Sequence, residues 1–123
     1  MTMTNARSNE TQRAIDECES CRDICLRAVA HCLDRRGRLS EAALITTLLD
    51  CVDTCTTAAN FMLRDSESHG RACELCAEMC DACAERCERF PDDDTLRRCG
   101  KKCRRCAASC REMARNAGQP VNH

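Results

Sequence analysis

Large apolar side chains are scarce in this chain of 123 residues. Tryptophan and tyrosine are absent, and the chain has nine Leu, three Ile, three Val and two Phe. Such a small apolar share would ordinarily indicate a disordered chain. A single domain of this length buries roughly two-thirds of the surface that its unfolded chain exposes. Something other than aliphatic packing must therefore fill the core.

Other absences exclude further classes of protein. Residues 1–11 are polar and lack the apolar segment of a signal peptide, and we expect no segment as long as a membrane span. The net charge of −1 gives no general attraction to nucleic acid or to an anionic membrane. Few residues are β-branched, so a strand interpretation has little support. We therefore expect a cytoplasmic protein without nucleic-acid or membrane partners.

Cysteine, in contrast, is abundant, with 15 Cys beside 16 Ala. Buried cysteine behaves as a small apolar residue, so it is the main candidate for core material. Secreted disulfide scaffolds are also rich in cysteine. However, 15 is an odd number, and most of the Cys lie three or four positions apart. At that helical spacing Cβ atoms are about 5–6 Å apart, whereas a disulfide needs about 3.8 Å. In a reducing cytosol such thiols indicate metal ligands.

The periodicity of the chain predicts helices throughout. Four segments place cysteine and apolar residues on one helical face and charged residues on the others. Helix-breaking sequences separate these segments at 36–40, 65–68, 90–94 and 118–120. Short connections imply antiparallel neighbours. We predict an all-α, antiparallel up-down four-helix bundle over residues 8–117, with a disordered tail at 1–7 and a C-terminal tail at 118–123.

An internal repeat strengthens this prediction. A shift of 55 residues superposes six cysteines of the first half on six of the second: Cys18, Cys21, Cys25, Cys32, Cys51 and Cys55 on Cys73, Cys76, Cys80, Cys87, Cys106 and Cys110. The bundle is therefore expected to consist of two similar helical hairpins related by a pseudo-twofold axis. In the second copy, Cys99 and Cys103 replace Leu44 and Leu48. Cysteine stands where core residues stand, which predicts a cysteine-lined core.

Buried thiolates favour a particular kind of cation. Uncompensated thiolates in a core would be very costly. Cu(I) is soft, monovalent and satisfied by two or three sulfurs, whereas Zn(II) and Fe–S clusters favour four ligands. Roughly one monovalent ion per thiolate leaves the core near neutral. The predicted ligands of multiple Cu(I) ions are Cys18, Cys21, Cys25, Cys32, Cys51, Cys55, Cys73, Cys76, Cys80, Cys83, Cys87, Cys99, Cys103, Cys106 and Cys110.

These cysteine spacings resemble those of the bacterial copper storage proteins, from about Ser8 to Gly118. The resemblance implies a four-helix bundle, commonly tetrameric, that holds many Cu(I) ions on inward-facing cysteines. The form without a signal peptide is cytosolic. Copper and storage are what the resemblance adds to the reading of the residues, and a chaperone or small thiol would deliver the metal.

The two ends of the predicted bundle differ. Up-down connectivity gathers Met62, His69 and Met113 at one end, and the resemblance implies metal uptake there through His or Met ligands. The alternative is that the methionines fill the core and that His69 merely begins the third helix. Leu39, Leu44, Phe90 and Leu96 are expected to close the opposite end. His31 lies off the cysteine face, so we expect it to be exposed.

Three hypotheses compete for the function. The leading one is a Cu(I)-binding storage and detoxification protein without enzymatic activity, since no nucleophile and base are paired. An Fe–S or Zn-binding redox protein is the second. A metal-responsive regulator that uses the basic fourth helix on DNA is the third. The chain lacks aromatic stacking partners for nucleic acid, and the third helix is acidic. Charge pairing between helices or between subunits is therefore favoured.

Overall fold

The predicted all-α bundle is confirmed by a computed structural model that describes residues 8–117. The tails predicted at 1–7 and 118–123 lie outside the described residues. The helices are α1 (Asn9–Arg35), a short 3₁₀ helix (Gly37–Ser40), α2 (Ala42–Leu63), α3 (His69–Cys87) and α4 (Asp94–Ala117).

Local sequence signals set the ends of these helices. The Ser8 hydroxyl accepts a hydrogen bond from the Thr11 backbone N–H at 3.0 Å, which caps α1. After α1, Arg36 and Gly37 adopt positive φ angles of 63° and 62°. Such angles stop a right-handed helix. The Asp93 carboxylate accepts from the Leu96 backbone N–H at 2.9 Å at the start of α4. The predicted breaks at 36–40, 65–68 and 90–94 therefore coincide with helix boundaries, and the break predicted at 118–120 lies outside the described residues.

The helices form a ring around one axis. α1 packs against α2 and α4, and α3 packs against the same two helices. Within residues 8–117, neither diagonal pair of helices makes close backbone contacts. Gly100 on α4 lies so close to α3 that a Cβ added there would be 3.3 Å from the Cys87 Cβ. Every helix therefore turns one face toward a shared, narrow interior.

That interior is built from sulfur and small side chains. All 15 cysteines are buried, together with alanines from each helix. The few large apolar residues of the core include Ile15, Leu44, Leu48, Met62 and Leu96. No buried residue among those described is polar or charged. Cysteine thus takes the place of the missing aliphatic core, as its composition indicated.

The expectation that no segment is as long as a membrane span was wrong. By length and composition alone, α2 is the one helix among the described residues that qualifies as a membrane span. Asp50 and Asp53 are the only charged residues of α2. Its threonines are polar, so the segment does not look apolar by eye, but they are uncharged and do not exclude it as a span by composition. In the bundle, the inner face of α2 packs in the sulfur-rich core while both aspartates are exposed.

The predicted pairing of charges between helices is also present. Arg104 on α4 bonds to Asp81 at 3.0 Å and to Glu88 at 2.9 Å, both from the α3 side. Arg111 also pairs with Asp81. Lys102 reaches across to Glu17 on α1 at 2.6 Å. The Arg104 and Arg111 pairs are partly exposed and contribute little stability individually, whereas the Lys102–Glu17 pair is more buried. Together the pairs engage three of the cations on the basic face of α4.

Candidate metal centre

A continuous chain of sulfur atoms runs along the bundle axis. Its two end contacts are Cys18 to Cys110 at 3.5 Å and Cys25 to Cys99 at 3.7 Å. Eleven cysteines are linked by Sγ–Sγ distances of 3.5–4.0 Å: Cys18, Cys21, Cys25, Cys51, Cys55, Cys76, Cys80, Cys99, Cys103, Cys106 and Cys110. We call these residues, together with Cys83, the sulfur ladder.

The ladder follows from the spacing of cysteine on each helix. Residues three or four apart lie on one face, so every helix contributes a row of sulfurs. Most contacts then join different helices: Cys51 on α2, for example, meets Cys80 on α3 at 3.6 Å and Cys21 on α1 at 3.9 Å. The thiols therefore face the interior of the bundle, as predicted.

Within the ladder, four overlapping groups each bring four sulfurs within 4.8 Å of one another. The groups are Cys18, Cys76, Cys106 and Cys110; Cys21, Cys55, Cys80 and Cys106; Cys21, Cys25, Cys51 and Cys103; and Cys25, Cys83, Cys99 and Cys103. Two sulfurs on one metal with bonds of about 2.3 Å lie at most about 4.6 Å apart. The ladder is thus spaced for sulfurs to share metal ions, and all of its members are buried.

Three of the predicted ligands lie outside these groups. Cys32, Cys73 and Cys87 are fully buried like the others, but no four-sulfur group includes them. Burial, and then the nearby Asp93 carboxylate, raise the pKa of the Cys32 thiol to about 11. Cys32 therefore stays protonated at neutral pH until a cation displaces its proton.

Within the ladder, the pKa values of neighbouring thiols are shifted in opposite directions. Hydrogen bonds from Cys106, and then from Cys110, lower the pKa of the Cys18 thiol to about 6. The Cys110 thiol, which lies beside Cys106 and Cys18, has its pKa raised above the usual value by those contacts and by burial. A thiolate held by neighbouring thiols is a soft anionic ligand in a core without a protein cation.

The structure places the three predicted uptake residues at one end of the bundle, although no hydrogen bond joins them to one another within residues 8–117. Met62 and Met113 are buried, with exposed fractions of 2% and 5%. His69 is half-buried, and its Nδ1 lies 2.9 Å from the Ser66 carbonyl oxygen. Because a carbonyl only accepts hydrogen bonds, Nδ1 carries the proton and the lone pair is on Nε2. A neutral His69 therefore offers the Nε2 lone pair as a ligand atom.

The opposite end is covered by apolar residues, as expected. Leu44 and Leu96 are buried, while Leu39 and Phe90 are half-buried. The Arg38 guanidinium lies 5.1 Å from the centre of the Phe90 ring. An open surface cavity of about 410 Å³, lined in part by Leu39 and Phe90, lies over this apolar cover.

The prediction that His31 is exposed was wrong. His31 Nε2 lies 2.8 Å from the Asp93 carboxylate, and both side chains are only 19% exposed. Asp93 thereby caps α4 and pairs with α1 at once. The periodicity placed His31 off the cysteine face correctly but carried no sign of the loop that covers it.

The chain is similar to proteins of one known family. Residues 7–115 match the model of a family described as copper storage protein. This chain belongs to the copper storage protein family. The crystal structure of a Nitrosospira multiformis protein is 40% identical, with a TM-score of 0.81, over 87% of this chain and 96% of that chain. No curated protein sequence matches the chain.

Two further structures extend this likeness to members of the family. The Cu(I)-bound copper storage protein BsCsp3 is 31% identical, with a TM-score of 0.81, over 86% of this chain and 99% of that chain. The metal-free copper storage protein 3 from Bacillus subtilis is 34% identical, with a TM-score of 0.79, over 85% and 98%. The predicted family resemblance is confirmed.

Proposed function

We propose that this protein stores Cu(I) as cargo on its core thiolates, in the cytosol and without a catalysed reaction. The observation that carries the proposal is the sulfur ladder, which lines the interior from Cys18 to Cys99. Cu(I) suits this arrangement because it is satisfied by two or three thiolates. The Cu(I)-bound relative BsCsp3 supports the choice of metal.

The charge of the core also supports Cu(I). No cationic side chain is buried among the described residues, so metal ions must balance the thiolates. One monovalent ion per thiolate gives a core close to neutral, which burial in a low dielectric favours. All 15 cysteines are proposed as ligands, including Cys32, Cys73 and Cys87 at the margins of the ladder.

Counting the bound ions tests the storage function. The reduced protein is titrated with Cu(I) without oxygen, in competition with a Cu(I) chelator. Twelve ladder sulfurs and three marginal ones predict a stoichiometry of roughly one ion per sulfur. Fewer than about four ions per chain would contradict storage.

Metal uptake is proposed at the end that carries Met62, His69 and Met113. The support is the Nε2 lone pair of His69, whose ring is oriented by the hydrogen bond from Nδ1 to the Ser66 carbonyl. Replacing His69 with Ala is expected to slow Cu(I) loading without changing the final capacity. His31→Ala is the matched control, because His31 pairs with Asp93 at the far side of the fold. Equal loading rates for the two variants would argue against uptake through His69.

Assembly and delivery complete the proposal. We propose a homotetramer that receives copper from a chaperone or a small thiol. Leu26 and Leu33 on α1, and Leu49 on α2, are exposed and provide apolar surface for contacts between copies. Light scattering on the purified protein measures the assembly, and a monomer at micromolar concentration would contradict it.

A further inference from the structure

The four-sulfur groups of the ladder have the dimensions of a tetrahedral divalent metal site. A tetrahedron with metal–sulfur bonds of about 2.3 Å has sulfur–sulfur edges of about 3.8 Å. In the group of Cys21, Cys25, Cys51 and Cys103, four of the six edges measure 3.7, 3.8, 3.9 and 4.0 Å. The remaining edges are within 4.8 Å. Four sulfurs in this arrangement suit Zn(II), Cd(II) or Co(II) without a change of fold.

The overlap between the groups limits how many such ions fit. Cys106 belongs to the first two groups, Cys21 to the second and third, and Cys25 and Cys103 to the third and fourth. A thiolate can bridge two divalent ions, but two ions bonded to one sulfur at about 2.3 Å lie at most about 4.6 Å apart and repel each other, so each thiolate is assigned to one ion. Without bridging thiolates, at most two of the four groups can be filled at the same time, in three pairings: first with third, first with fourth, or second with fourth.

We propose that the copper-free protein binds two tetrahedral divalent ions of the Zn(II) class per chain, each through four ladder thiolates. Each ion displaces the protons that remain on its four sulfurs. The site then carries a net charge of −2, because four thiolates outweigh one divalent ion. The described core holds no cationic side chain that could offset this charge. Cu(I), which leaves the same sulfurs nearly neutral, therefore displaces the divalent ions.

The proposal uses the same ladder as the proposed storage function, but it is tested separately. Co(II) is the probe, since tetrahedral thiolate coordination gives it intense visible absorption bands. Reduced copper-free protein is titrated with Co(II) without oxygen, and the absorption is expected to reach a plateau at two equivalents per chain. Later addition of Cu(I) is expected to abolish the bands. A Cu(I) titration of the same sample reports on storage independently.

Single substitutions distinguish the overlapping groups from independent sites. Cys25→Ser removes the third and fourth groups, and the two groups that remain share Cys106, so the plateau is expected to fall from two equivalents to one. Cys21→Ser is the matched control. It lies one turn away on the same helix and also belongs to two groups, but the first and fourth groups survive without a shared sulfur, so the plateau stays at two.

Two more variants show whether a reduced plateau comes from lost metal ligands or from lost folding. Cys103→Ser and Cys106→Ser are each expected to bind one equivalent, and helical circular dichroism checks that each variant is folded. A plateau of three or more equivalents in the parent protein, no tetrahedral bands, or equal capacities of Cys25→Ser and Cys21→Ser would each overturn the proposal. If Co(II) binding fails while Cu(I) fills the core, storage stands and this inference falls.

Discussion

Substituting Leu48 with cysteine should exchange stability for copper capacity. Leu48 is fully buried on α2 and lies three residues before Cys51 on the same face. The internal repeat places Cys103, a ladder member, at the corresponding position of the second hairpin. A cysteine at position 48 would therefore add a sulfur beside the existing ladder. We expect the capacity to rise by about one Cu(I) ion per chain.

The cost to the metal-free protein can be worked from the burial of this side chain. Leu→Cys removes roughly two methylene equivalents, or about 1.6 kcal/mol of transfer free energy. The cavity that remains brings the loss to about 2–3 kcal/mol. For a domain of this size the melting temperature should fall by about 8–12 °C. Circular dichroism of the reduced, metal-free protein measures that shift.

Leu48→Ser is the matched control for this substitution. It removes slightly more side-chain volume and introduces a hard oxygen, which Cu(I) does not favour. We expect it to be at least as destabilising and to leave the copper capacity unchanged. If Leu48→Cys and Leu48→Ser bound the same number of ions, position 48 on the inner face of α2 would not extend the ladder.

Three further predictions follow from the same structure. Copper loading should raise the melting temperature, because an ion at a free concentration 100-fold above its Kd adds about 2.7 kcal/mol per site; equal melting temperatures would contradict this. The Cys32 thiol has a pKa of about 11 in the folded protein, above its ordinary value of 9.0, so the metal-free fold holds this proton more tightly than the unfolded chain does. The resulting contribution to stability is complete below pH 9 and is lost as the pH rises toward 11. Cys32→Ser lacks this thiol and should therefore lose less stability than the parent between pH 9 and 11. Burial alone would raise the pKa of the Asp93 carboxyl, but hydrogen bonds from His31 and the Leu96 N–H lower it below its ordinary value of 3.8. The ionised carboxylate therefore stabilises the fold above pH 3.8, and this contribution is lost as the pH falls below 3.8. Asp93→Asn, which keeps the α4 cap, should therefore be less stable than the parent at pH 7, with a difference that narrows in acid; a constant difference would contradict the argument.

The sequence predicted the bundle because its signals agree at every level. The cysteine faces, the breaks near Gly37 and Pro91 and the 55-residue repeat all indicate the same four helices. The replacement of Leu48 by Cys103 between the two copies also indicated which way the thiols point. Because several independent signals agree, the prediction of the bundle did not depend on the pattern of any one helix.

What the sequence did not reveal depends on how the helices are staggered. Spacing along one helix cannot show which sulfurs of different helices meet, so the overlap of Cys21, Cys25, Cys103 and Cys106 between groups appears only in three dimensions. The same holds for the His31–Asp93 pair, which joins residues 62 positions apart. The tautomer of His69 likewise depends on the turn that brings the Ser66 carbonyl to its ring.

The most direct test of copper storage is to locate the metal in the loaded protein. Anomalous diffraction at the copper absorption edge, from crystals of the Cu(I)-loaded protein, would show the position of each ion. We predict a row of copper ions between sulfurs along the bundle axis, from the level of Cys18 and Cys110 to that of Cys25 and Cys99. Copper confined to surface histidines and methionines, or an axis crossed by disulfides without copper, would contradict the account.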